Sequence, residues 1–193
     1  MQTLHQAAEQ LAFTQTSDAA IGQLLTALAA SKPGGRFLDL GTGVGHSISH
    51  LLAGATTETH VVSIDNDAEL QAVARAHFGN DKRVEIIHAD GGPWLQNYTG
   101  PKFDLVFADT WPGKFWDLEP ALNLVQPGGF YLVDDLKPHD DWPEGHAERV
   151  QELTKTLLNH PDFRAVRLDW STGLILLTKC TAPFRAAVAK PAP

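Results

Sequence analysis

Apolar residues fall along this chain in two alternating rhythms. Short runs rich in Val, Ile, Leu and Phe occupy Arg36 to Leu40, His60 to Asp65, Val84 to His88, Phe103 to Asp109 and Gly129 to Asp134. Runs of that length and composition predict buried strands. Between them lie longer stretches with helical spacing. Ser17 to Ala30 sets Ile21, Leu24, Leu25 and Leu28 on one stripe and stops near Pro33-Gly34-Gly35. His46 to Leu52, Ala68 to Phe78, Asp117 to Val125 and Pro143 to Asn159 read as further helices. Strands that alternate with helices make repeated βα units, so the pattern predicts a mostly parallel sheet covered on both faces. The end of the chain breaks the rhythm. Phe163 to Trp170 and Leu174 to Lys179 are strand-like and joined by Ser171-Thr172-Gly173, which predicts an antiparallel hairpin.

Composition narrows the picture. A chain of 193 residues that is 43% hydrophobic can bury one good core, which predicts a single domain over 1–180. Residues 181–193 are mostly Ala and Pro with no pattern to bury, and read as a mobile tail. The net charge is −8 and no run of Lys or Arg could track a phosphate backbone, so the expected partner is a small molecule and not nucleic acid. Nowhere do eighteen apolar residues follow one another, and no basic segment opens onto an apolar one. The single cysteine, Cys180, cannot form an internal disulfide. Together these predict a cytoplasmic protein with no membrane partner.

The chemistry gathers where the strand runs end. Asp39, Asp65, Asp90, Asp109 and Asp134 lie at or beside those ends, and sheets of this kind bind ligands at the carboxyl ends of their strands. The first run passes directly into Asp39-Leu40-Gly41-Thr42-Gly43-Val44-Gly45 and then a helix. Glycines let the backbone take positive φ and approach a ligand closely, and a helix N-terminus offers free N–H donors. The spacing is not that of a dinucleotide turn, because the third glycine arrives one residue early and His46 stands where that pattern needs Gly or Ala. A carboxylate beside the turn also suits a cation better than a pyrophosphate. Asp65, about two dozen residues beyond Gly41, is placed to accept hydrogen bonds from two ribose hydroxyls; otherwise it caps, with Asn66-Asp67, the helix that begins at Ala68.

Phe37 to Gly45 with Asp65 after it closely resembles the first two motifs of class I S-adenosylmethionine-dependent methyltransferases. The resemblance spans roughly Ser17 to Lys179 and implies an α/β fold, a doubly wound, mostly parallel seven-stranded sheet with a C-terminal antiparallel hairpin. It implies that Gly41 and Gly43 line the methionine part of S-adenosylmethionine, that Asp65 holds the ribose and that Asp90 sits by the adenine. Asp39 and Asp109 join this cofactor-binding set, with Ser47 a candidate for the methionine carboxylate.

Phe107-Ala108-Asp109-Thr110-Trp111 and Leu132-Val133-Asp134-Asp135-Leu136 resemble the metal-binding motifs of the cation-dependent catechol and caffeoyl-coenzyme A O-methyltransferases. The resemblance implies a divalent cation, Mg²⁺ by its chemistry, on Asp109, Asp134 and Asp135, O-methylation of a catechol-like hydroxyl compound, and a homodimer. Two departures stand out. Asp135 replaces the usual Asn, and Pro112 sits where the catechol enzymes carry a lysine base, leaving Lys114 and Asp109 as catalytic candidates beside His46, His88 and His139. Trp111, Trp116 and Trp142 offer walls for a flat acceptor. Three alternatives stay open: a metal-independent methyltransferase, a nicotinamide-dependent oxidoreductase, and a non-catalytic cofactor-binding module.

Overall fold

The strand runs become β1 (Arg36–Leu40), β2 (His60–Asp65), β3 (Val84–His88), β4 (Phe103–Ala108) and β5 (Val125–Val133), and the hairpin becomes β6 (Phe163–Leu168) and β7 (Leu174–Lys179). This computed structural model describes residues 3–13, 18–139 and 142–181. The strands form one seven-stranded sheet in the order β3-β2-β1-β4-β5-β7-β6. β1 to β5 pair in parallel, and β7 runs antiparallel between β5 and β6. The strand order reverses between β1 and β4, so the loops after these two strands open the crevice in which such sheets hold ligands.

The helices are α1 (Leu4–Gln10), α2 (Ala19–Ala30), α3 (His46–Gly54), α4 (Ala68–Phe78), α5 (Gly91–Asn97), α6 (Leu118–Asn123) and α7 (His146–Leu158). Successive strand side chains point to opposite faces, and the core divides accordingly. Leu38, Val106 and Val133 join Leu122 of α6 and Leu153 and Leu157 of α7 on one face. Phe37, Leu105 and Leu132 join Ile21 and Leu25 of α2 and Leu51 of α3 on the other.

Several boundaries differ from the sequence reading. Val125 belongs to β5 and not to the preceding helix, because Gln126 to Gly129 bulge out of the ladder between the pairs Phe103–Val125 and Leu105–Phe130. α5 runs through Gly91-Gly92-Pro93, a string that reads as a loop; Asp90 caps it by accepting from the Gly92 N–H at 3.0 Å, and its proline lies in the first turn, where no backbone donor is lost. α7 starts at His146 and not Pro143, after Gly145 at φ +76°. α2 starts at Ala19 behind the cap Asp18; the predicted start at Ser17 and residues 182–193 of the predicted tail lie outside the described residues. Among the described residues, no helix is long and apolar enough to cross a membrane.

Candidate active site

The turn after β1 is built from three left-handed glycines, Gly41 at φ +110°, Gly43 at +47° and Gly45 at +98°. A Cβ on Gly41 would lie 2.9 Å from the backbone oxygen of Asp109, so the turn and the end of β4 approach as closely as backbones can. The Gly41 N–H donates to the Ile64 carbonyl at 2.9 Å, and the Gly43 N–H donates to Asp65 Oδ2 at 2.9 Å. The other Asp65 oxygen takes the Asp67 N–H, while Asp67 itself caps α4. Asp65 therefore braces the glycine turn, and the capping role considered for it belongs to Asp67.

Asp39 lies fully buried beneath the turn. Its Oδ2 accepts from Ser47 at 2.9 Å and from Ser63 at 2.6 Å; Ser63 meets Thr42, and Gln71 donates onward to Thr42. Oδ1 has no partner. Loss of water pushes Asp39 up to about 7, an increase that the two serine hydroxyls partly oppose.

A cleft of about 240 Å³ opens above this network, lined by Gly41 to Val44, His46, Ser47, Asp65 to Asp67, Asp109 and Thr110, with Phe13 closing one side. A smaller recess of about 40 Å³ shares Asp65, Asn66 and Thr110 with it and reaches Ala89 and Asp90. An elongated molecule with polar groups along its length fits such a pair of spaces. Close backbone at the glycines, an acceptor carboxylate midway and a second acid at the far end suit a nucleoside joined to an amino acid. His46, in the first turn of α3, is shifted below its ordinary range by burial and lines this cleft.

The acceptor end departs from the sequence expectation. Asp109 keeps 23% of its side chain exposed, and Lys114, a catalytic candidate from the sequence, is 5% exposed with Nζ 4.0 Å from Asp109 Oδ1. The same ammonium donates to the Asp134 carbonyl at 2.8 Å. Asp134 is buried; its Oδ1 accepts from the Asp135 N–H at 2.6 Å and from the Thr172 hydroxyl. Asp135 sits at φ +61°, is 40% exposed, and faces His139 at 3.4 Å. Asp109, Asp134 and Asp135 lie near enough to feel one another's charge, but each has a different partner. Among the described residues, no group of three or more His, Cys, Asp and Glu is arranged to hold a metal ion. Burial raises both Asp109 and Asp134 above the usual carboxylate range, with Lys114 opposing the rise.

Beside this corner stands an aromatic cluster. Trp111 packs on Trp116 and Phe115, with ring centres 5.1 and 5.8 Å apart, and His146 lies 4.6 Å from Trp142 and 4.9 Å from Phe115. His146 is 6% exposed, and neither ring nitrogen has a hydrogen-bond partner among the described residues. Burial holds it below its ordinary range, so it is neutral near pH 7. The sequence reading passed over His146 because nothing local separates it from any helix-start histidine. His88, by contrast, lies at the end of β3 and contributes nothing to the cleft lining.

Residues 38–136, slightly more than half of the chain and the whole stretch from the glycine turn to the acceptor corner, match the family model described as a methyltransferase domain. The chain belongs to that family. A putative O-methyltransferase from Mycobacteroides abscessus is 25% identical over 83% of this methyltransferase and 79% of its own length. A catechol O-methyltransferase from Mycobacterium tuberculosis is 27% identical over 77% and 71% of the two chains. This methyltransferase also matches 32% of the length of a polyamine aminopropyltransferase from Caldanaerobacter subterraneus and 66% of a tRNA1(Val) adenine-N6-methyltransferase from Pasteurella multocida, so the relatives do not share one acceptor. An O-methyltransferase from Bacillus cereus, solved in complex with SAH, superposes with a TM-score of 0.80 at 20% identity, covering 91% of this chain and 88% of the other. That likeness shows the fold, and with it the seven-stranded class I methyltransferase architecture.

Proposed function

We propose that this methyltransferase transfers the methyl group of S-adenosylmethionine to a hydroxyl oxygen of a small aromatic acceptor. The observation that carries the proposal is the paired space at the β1/β4 switch, with Asp65 bonded to the Gly43 N–H at its centre. In this reading Gly41, Gly43 and Ser47 border the methionine part, Asp65 takes the ribose hydroxyls and Asp90 lies toward the adenine. In its ionised form Asp39 favours a cationic ligand above the turn over a pyrophosphate, and a bound cation in turn favours that form. Bound there, S-adenosylmethionine supplies an electrophilic methyl carbon on a sulfonium.

The remaining task is alignment and proton removal. An in-line displacement gains most of its rate from holding the nucleophile near 3 Å from its target, about 7–11 kcal/mol in well-aligned systems. Asp109 borders the cleft where an acceptor oxygen must stand, and its raised basicity suits it to accept the hydroxyl proton as the new C–O bond forms and the methyl–sulfur bond breaks, its electron pair leaving on the sulfur as a thioether. Trp111, Trp116 and Phe115 supply a flat apolar wall at the same corner. The oxygen acceptor also draws support from the two O-methyltransferase relatives. A divalent ion would meet the Lys114 ammonium 4.0 Å from Asp109 Oδ1, and among the described residues no three acids or histidines are arranged to hold one, so no step is routed through one.

The test is a melting-temperature comparison followed by turnover. S-adenosylhomocysteine should raise the melting temperature and NADH should not, and a phenol and catechol panel should yield methyl ethers. Stabilisation by NADH alone would overturn the reading, and cofactor binding with no transfer to any hydroxyl in the panel would remove the acceptor class.

A further inference from the structure

We infer that Lys114 is a built-in cation, a positioning residue whose ammonium stands where the resemblance calls for a divalent metal, so that Asp109 meets a single acceptor hydroxyl without metal chelation. The inference rests on the methyltransferase reading above.

Three clustered carboxylates repel unless a positive charge stands among them. Here a positive charge is already in place, supplied by the chain. The Lys114 ammonium is buried, 2.8 Å from the Asp134 carbonyl and 4.0 Å from Asp109 Oδ1. Its position is fixed by the loop that carries it. The Lys114 N–H bonds the Trp111 carbonyl at 3.0 Å, the Gly113 N–H bonds the Trp116 carbonyl at 2.8 Å, and the buried Tyr131 hydroxyl donates to the Gly113 carbonyl at 2.5 Å. Gly113 makes this fold-back feasible at φ +86°, where a Cβ would meet Leu40 Cδ1 at 2.8 Å. The turn fixes where the lysine side chain starts, and the Asp134 carbonyl holds its ammonium in the space an ion would need.

The partners of the other two acids point the same way. Asp134 Oδ1 is occupied by the Asp135 N–H and Thr172, and Asp135 faces His139. Only Asp109 keeps its carboxylate on the cleft. An ammonium has three donors. One goes to the Asp134 backbone carbonyl, and the ammonium pairs with Asp109 through its charge at 4.0 Å. A metal that orients its substrate through two adjacent oxygens demands a vicinal diol, whereas a carboxylate held by an ammonium needs one hydroxyl. A monohydroxylated acceptor should therefore serve as well as a catechol.

The experiment titrates Mn²⁺, followed by its electron paramagnetic resonance signal, into the wild-type protein and into Lys114→Met, Lys114→Arg and Asp109→Asn, each checked for folding by its melting curve. Wild type and Lys114→Arg should bind Mn²⁺ no better than Asp109→Asn does, and Lys114→Met should gain about tenfold or more in affinity because an unpaired carboxylate is left beside Asp134. Wild-type binding that Asp109→Asn abolishes would overturn the inference, and so would a Lys114→Met variant that binds Mn²⁺ no more tightly than wild type. Melting with S-adenosylhomocysteine in the same samples judges the cofactor reading separately, since Mn²⁺ binding needs no cofactor.

Discussion

The two ends of the cleft solve the burial of a carboxylate in opposite ways. At the cofactor end, Asp65 and Asp39 are met by neutral donors: a glycine N–H, an aspartate N–H and two serine hydroxyls. At the acceptor end, Asp109 is met by a full positive charge from Lys114. Neutral dipoles leave a net negative field for a cationic ligand to enter, while a paired ammonium cancels the field and leaves a carboxylate that is oriented but not attractive to free ions. The division matches the chemistry, because one end must hold a sulfonium and the other must take a proton.

The largest effect should come from removing the acid that joins the two ends. Asp109→Asn keeps the side-chain shape and removes the proton acceptor, so methyl transfer to the best hydroxyl acceptor should fall by about 10²- to 10⁴-fold. S-adenosylhomocysteine affinity, read by calorimetry, should change little. A matched loss in both would make Asp109 a cofactor ligand first. Because burial raises Asp109 and the base must be ionised, the wild-type rate should climb with pH above the usual carboxylate range, and that limb should vanish in the variant.

The next effect isolates the cofactor end. Gly41→Ala adds a Cβ at φ +110°, 2.9 Å from the Asp109 backbone oxygen. Strain of about 1–3 kcal/mol should weaken S-adenosylhomocysteine binding by roughly tenfold to a hundredfold at 1.4 kcal/mol per decade. Unchanged affinity by calorimetry would mean that the turn relaxes away from β4 and that the close approach is not needed.

The two ends also differ in how far the sequence revealed them. β1, β2, β3 and β7 fall where the apolar runs place them, and the glycine turn with Asp65 is legible because all its determinants lie within one βα unit and the strand that follows. The acceptor corner was not. Lys114 looks like an ordinary loop lysine until Tyr131, seventeen residues further along, pins the loop beneath it, and Thr172 reaches Asp134 from the hairpin. The same holds for β5, whose bulge at Gln126 to Gly129 is visible only against its neighbour β4. Local spacing carries turns and caps; it does not carry which charge a folded-back loop will bury.

A smaller effect tests the neutral-donor side by pH. Asp39 rises from its ordinary 3.8 to about 7 in the folded protein. The folded state then binds a proton that the unfolded chain releases, so the contribution to stability is fully present below pH 3.8 and is lost as pH rises to about 7. Asp39→Asn removes this dependence. Stability relative to wild type, measured by urea unfolding across that window, should therefore move in favour of the variant as pH rises. A constant difference would mean that Asp39 stays ionised throughout.

The smallest effect probes whether the acceptor corner depends on the hairpin. Thr172→Val keeps the shape and removes the hydroxyl that bonds Asp134 Oδ1, at a cost of about 1 kcal/mol for one buried hydrogen bond. Urea unfolding should register that loss. Lys114 is held by the Asp134 backbone carbonyl and not by its carboxylate, so the ammonium should stay in place and Mn²⁺ should remain excluded. Should Thr172→Val instead admit Mn²⁺, Asp134 would be free to turn toward Asp109. The exclusion of metal would then belong to the hairpin's grip on Asp134 as much as to the charge on Lys114.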